Sequence, residues 1–158
     1  MYLALKFIHV LAVIVFVGNI SIGILWKNIG DVTRDPRIIA HTIKGILLAD
    51  KIFTIPAVIV LVIAGVGAAQ VAHLSILGTG WILWSLILLI VSGIAFGPVG
   101  RAQRQMLSVA QAALTSGVMN WEDYAASGKV WTITGLVALI LPLIAVALMV
   151  TKPPLPAF

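Results

Sequence analysis

Four mainly apolar runs, at 3–26, 52–72, 81–97 and 130–150, use most of the chain and leave no room for a separate soluble domain. A helix needs about 20 mainly apolar residues to cross the hydrocarbon region of a bilayer. That region offers no partners to unpaired backbone groups, so a spanning segment is either a helix or a strand of a closed barrel. Barrel strands alternate polar and apolar positions. Here the apolar residues are consecutive, as in Ile87–Leu88–Leu89–Ile90–Val91. Only 9% of residues are charged, against about 25% in a soluble domain, so the chain could not cover its own surface in water. The expected fold is all-α: a four-helix transmembrane bundle, one domain over residues 1–158. The first run is longer than the roughly 7–15-residue apolar core of a signal peptide and lacks a clear small-x-small cleavage site, so it reads as a retained helix.

Basic residues orient such a bundle, because short loops rich in Lys and Arg stay on the cytoplasmic side. Lys27, Arg34, Arg37, Lys44 and Lys51 lie between the first and second runs, and Arg101, Arg104 and Lys129 between the third and fourth. Only Lys6 and Lys152 lie on the other face. Both termini are therefore expected on the periplasmic side of a bacterial inner membrane, with the lipid bilayer as the principal partner. The same bias accounts for the net charge of +5 without nucleic acid, since no basic cluster is interleaved with surface aromatics. The absence of cysteine removes disulfides, thiolate metal sites, iron–sulfur clusters and cysteine nucleophiles.

The two long connections have structure of their own. Asp35–Pro36 reads as an N-cap followed by proline at the first helical position, and a helix from Pro36 can run unbroken into the second span. Arg101 to Leu114 continues the third span, and the turn chemistry of 115–120, with Ser116–Gly117, ends it. Helices 2 and 3 thus extend into the cytoplasm. Pro56 removes one helical hydrogen bond and is expected to bend its helix. Trp81 and Trp84 near one interface, and Trp26 and Trp131 near the other, read as anchoring belts.

Membrane helices associate through small and occasional polar residues, which marks their inward faces. Tyr2, Leu5, His9, Phe16, Asn19 and Gly23 share one face of the first helix. Asp50, Thr54, Ala57, Leu61, Ala64, Ala68 and Ala72 share one face of the second. Ser85 and Ser92 face inward on the third. On the fourth, Gly135, Ala138 and Ala145 form a stripe, where Pro142 frees the Ala138 carbonyl.

His9 is the leading functional candidate. It lies roughly 12 Å along the first helix, from the 1.5 Å rise per residue, and an ionisable group within the membrane is by default a functional hypothesis. It could ligate haem iron or copper or relay protons; it could equally be a neutral imidazole bonded to a backbone carbonyl. For a six-coordinate haem, His73 is the candidate second ligand, although helical geometry turns it off the small-residue stripe. Lys6, one turn before His9, could neutralise a propionate, and Asn19 shares the His9 face. His41 reads as surface. Asp50 is expected to pair with a cation such as Arg101, Arg104 or Lys129, a structural role favoured over proton transfer, while Lys51 snorkels to the interface. No further metal site is expected. No protease, phosphate-loop or dinucleotide motif has its required context.

The opening Met1–Tyr2–Leu3–Ala4–Leu5–Lys6–Phe7–Ile8–His9–Val10–Leu11 resembles that of a bacterial family of predicted integral membrane proteins of unknown function. So do Leu48–Ala49–Asp50–Lys51, Ile55–Pro56, Gly100–Arg101 and Met149–Val150–Thr151–Lys152–Pro153. The lysine three residues before a first-helix histidine also resembles HemJ-type protoporphyrinogen oxidases and, more distantly, CopD-type copper-resistance proteins. That resemblance implies a haem-binding bundle with His9 in the place of the first-helix histidine. The glycine- and arginine-rich exit of those oxidases is missing, so it implies binding of b-type haem or a porphyrin rather than porphyrinogen oxidation. The alternative is a cofactor-free accessory or structural subunit, packed against other membrane subunits or its own copies. A small transporter is a third reading.

Overall fold

In the computed structural model, which describes residues 1–158, the apolar runs form long helices. Helix α1 spans Tyr2–Val32; α2, Pro36–Ala49, passes through a π-helical turn, Asp50–Thr54, into α3, Ile55–Val71; α4 spans Gly80–Ser116 and α5 Trp121–Thr151. Four rods result, each long and apolar enough to cross a membrane. At 1.5 Å per residue, the 37-residue α4 is about 55 Å long, well beyond the roughly 30 Å of a hydrocarbon core. The expected extensions of the second and third rods are therefore present. The first and fourth rods also continue past their apolar runs, to Val32 and back to Trp121.

Local chemistry sets the ends. The Asp35 side chain accepts from Arg37 N at 2.8 Å, with Pro36 at the first helical position. Gly117 closes α4 at φ +74°, a conformation that costs glycine little. Asn120 caps α5 by accepting from Asp123 N at 3.1 Å. The backbone break at Pro56 takes a different form from a simple bend. Its ring would press on the carbonyl four residues earlier, and the wide π turn immediately before it relieves that clash.

The rods pack as two pairs, α4 with α5 and α1 with α3, and α2 joins them by lying against both α1 and α4. One core, at the end carrying the basic connections, is built from Ile39, Ile43, Val99, Met106, Tyr124 and Trp131 among others. The other lies between α1 and α3, from Ala12, Phe16, Ile20, Ala57 and Leu61. Small residues set the approach, as expected. A Cβ on Gly30 would sit 3.0 Å from Thr42 Oγ1, and one on Gly23 3.7 Å from Ile46 Cγ2.

Between α4 and α5, Ser92 Oγ donates to the Ala138 carbonyl at 2.8 Å. This is the acceptor that Pro142 leaves without its helical donor, so a serine on one helix repairs a proline defect on its neighbour. Beyond Lys152, which ends α5 at φ +48°, the tail folds back over the α3–α4 turn. Trp84 Nε1 donates to the Pro156 carbonyl at 3.1 Å and Phe158 N to the Leu77 carbonyl at 3.1 Å.

Candidate functional site

His9 lies on the α1–α3 seam, half-buried. Its Nδ1 is 2.8 Å from the Leu61 carbonyl oxygen. A carbonyl only accepts, so Nδ1 carries a proton, and in the neutral ring the lone pair is then on Nε2. The ring fits there because residue 65 is glycine: a Cβ at that position would lie 2.8 Å from Nδ1 and 2.9 Å from Cε1. Leu5 packs in the same way over Gly67, one turn outward. Helix α3 thus offers His9 a bare backbone surface and a carbonyl.

The other candidates do not assemble around this imidazole. His73 lies beyond the end of α3, exposed, at φ +53°. Eight residues separate it from Gly65, roughly 12 Å along a helix axis, and two ligands of one iron must lie within a few ångströms of each other. His73, the weaker candidate already turned off the small-residue stripe, is therefore not brought beside His9. Lys6 is exposed, with its Nζ 6.0 Å from the Tyr2 ring centroid. Asn19 is ten residues further along α1, roughly 15 Å, and belongs to a second site.

That second site lies between the two cores. Asp50 is 8% exposed, Thr54 2% and Gln103 3%. Gln103 Nε2 donates to Asp50 Oδ2 at 2.9 Å, while Thr54 Oγ1 donates to Oδ1 at 2.9 Å and Asn19 Nδ2 to Oδ1 at 3.3 Å. Asn19 Nδ2 also donates to Thr54 Oγ1 at 2.7 Å. The expected ion pair of Asp50 with Arg101 is corrected by this geometry: Arg101, Arg104, Lys51 and Lys129 are all exposed, and the carboxylate is held by neutral donors. The reason is rotational. On α4, Gln103 is the residue whose direction points at Asp50, and residues two before and one after it point outward. A chamber of about 20 Å³ adjoins these side chains and is also lined by Trp131, Phe96, Val99 and Gly135.

Trp131 does not anchor at an interface. It is 5% exposed, and its Nε1 is buried without a partner. Over its ring, 5.3 Å from the centroid, stands Lys27 Nζ, itself 5% exposed and paired with Asp31 Oδ2 at 2.5 Å. Tyr124 donates to the other oxygen of Asp31 at 2.5 Å. By its place in the sequence, Lys27 is only one of the basic residues that orient the bundle. The available signal was its i,i+4 spacing to Asp31, on a helix face continuing the stripe through Asn19 and Gly23.

Four apolar rods, one imidazole fixed at a helix seam and a buried carboxyl group held by neutral donors beside a small, largely apolar chamber define a helical integral membrane protein. The chain belongs to the family described as predicted integral membrane protein (DUF2269), whose model matches residues 3–153. No curated protein and no solved structure matches it, so the likeness to HemJ- and CopD-type proteins finds no support among them.

Proposed function

We propose that this protein carries a b-type haem or a porphyrin on His9, in a redox or haem-handling role. The observation that supports the reading is the bond from His9 Nδ1 to the Leu61 carbonyl. A metal-ligating histidine almost always donates its other ring nitrogen to a carbonyl, carboxylate or water, which fixes the tautomer and makes the ligating nitrogen more basic. His9 meets that condition and leaves Nε2 free to bind iron. Gly65 sets the ring's position against α3, and Lys6, one turn away and exposed, supplies a cation for a propionate. A bound haem would contribute one-electron chemistry whose potential depends on axial ligation and burial. The protein contributes a single nitrogen ligand, since His73 is out of reach.

The same bond supports a second reading. An imidazole satisfied by a carbonyl needs no cofactor, as in a cofactor-free accessory subunit. Absorption spectra of the detergent-purified full chain, before and after addition of ferric haem, separate the two. The haem reading expects a Soret band that His9→Gln abolishes and His73→Ala leaves intact. Glutamine retains a donor for the Leu61 carbonyl but no imidazole, so a folded, colourless His9→Gln protein isolates ligation from packing. No Soret band in the wild-type protein, or one indifferent to His9→Gln, overturns the reading.

A further inference from the structure

We propose that Asp50 is a proton-exchanging carboxyl group served by one internal water, which bridges it to Trp131. The ligand is indicated by the chamber that Asp50, Asn19, Gln103 and Trp131 line together. Its volume of about 20 Å³ holds one water, which needs at least about 10–15 Å³ and two to four polar partners. Those partners are present. The Trp131 indole N–H is buried without an acceptor, and an unmade hydrogen bond of that kind is costly. Asp50 Oδ2 takes only the Gln103 donor and has a further lone pair. The amide oxygens of Asn19 and Gln103 make no hydrogen bond within the protein. A water accepts from the indole and donates to two of these oxygens. A bare cation cannot accept from the indole, so the donor set selects water.

The shell around Asp50 is suited to both protonation states. A structural anion in a dry interior is normally locked by Arg or Lys, which donate only. Asp50 is surrounded instead by two amides, a hydroxyl and the inferred water, each able to donate or to accept. When the carboxylate is ionised they donate, as seen here. When it is protonated, an amide turned about its end, or the water, accepts the new O–H. Neither state leaves a buried group unpaired.

No charged group competes for this role. From α2 and the π turn, Lys44 and Lys51 are exposed, as are Arg101 and Arg104 on α4 and Lys129 on α5. Lys27 and Asp31 on α1, with Tyr124 on α5, are engaged with one another. The π turn fits the same role, since such turns occur frequently at functional sites; it places Asp50 and Thr54 on one face, where the hydroxyl reaches the carboxylate.

The test is infrared difference spectroscopy of the full chain in phosphatidylcholine vesicles, between alkaline and acidic pH. The expected result is a carboxylic-acid carbonyl band that is absent from Asp50→Asn and present in Asp31→Asn. Gln103→Leu, which keeps the carboxyl but removes one neighbour, is expected to displace the frequency of the band. Trp131→Phe, which removes the indole N–H, is expected to shift its titration midpoint. Identical difference spectra for wild type and Asp50→Asn, or an unmoved band in Gln103→Leu, overturn the proton site. An unchanged midpoint in Trp131→Phe overturns the water bridge.

Discussion

Gly65→Ala tests the His9 seat directly. The added Cβ would lie 2.8 Å from Nδ1, whereas carbon-type contacts are comfortable at about 3.5–4.0 Å. The ring must therefore retreat by roughly 0.7 Å, or α1 and α3 must separate by as much. Either way the 2.8 Å bond to Leu61 stretches towards 3.5 Å, where a hydrogen bond is effectively lost. Interhelical hydrogen bonds in membranes are worth about 0.6 kcal/mol on average and up to about 1.7. Overpacking a close seam adds about 1 kcal/mol or more. The expected destabilisation is about 1–3 kcal/mol. Gly18→Ala and Gly93→Ala, where a Cβ meets nothing within 4 Å, serve as controls. Each is expected to be neutral or slightly stabilising, because alanine is the better helix former. Unfolding in mixed micelles of increasing denaturing-detergent fraction gives the stabilities, and the ¹⁵N shifts of His9 report whether Nδ1 still carries the proton. A Gly65→Ala protein as stable as its controls, with His9 shifts unchanged, would refute the proposed packing of α1 on α3.

Three other perturbations have defined outcomes. Lys27→Met strips Asp31 of its cation in a half-buried setting; removal of one partner from a buried pair costs about 3–5 kcal/mol, and the 31% exposure of Asp31 reduces this to about 1–3 kcal/mol. Pairing it with Asp31→Asn in a double-mutant cycle measures the coupling, which exposed pairs keep below about 1 kcal/mol. Ser92→Ala leaves the Ala138 carbonyl without a donor and should cost about 1 kcal/mol; in a Pro142→Ala background the helix supplies its own donor, and the loss should shrink, as the same micelle titration can show. Gly80→Ala brings a Cβ into the Leu155 carbonyl, so the tail should lift; Trp84 then loses its Pro156 acceptor, and its fluorescence should match that of a chain truncated after Lys152.

The helical rods were written in local signals. Apolar runs long enough to span, Asp35–Pro36 at one start and Ser116–Gly117 at one stop act through neighbours along the backbone, so the residues state them without reference to the rest of the fold. The inward stripes were legible for a related reason: small and polar positions repeat with the helical period. Even the free Ala138 carbonyl followed from Pro142 alone, although its donor, Ser92, did not.

Tertiary structure decided which polar groups meet. His9 and His73 sit near the same end of the bundle, but rotation and axial offset between α1 and α3 give His9 a carbonyl instead. Asp50 was expected to find a cation such as an arginine on α4; that helix presents Gln103 instead, and Arg101, two residues and so about 200° round the helix, points outward. Trp131 resembled an interfacial anchor by position and became the buried wall of a chamber. Each of these outcomes depends on the phase of one helix against another, which is set by the packing of many side chains at once. A sequence fixes the period of a helix locally, and only the assembled bundle fixes its phase.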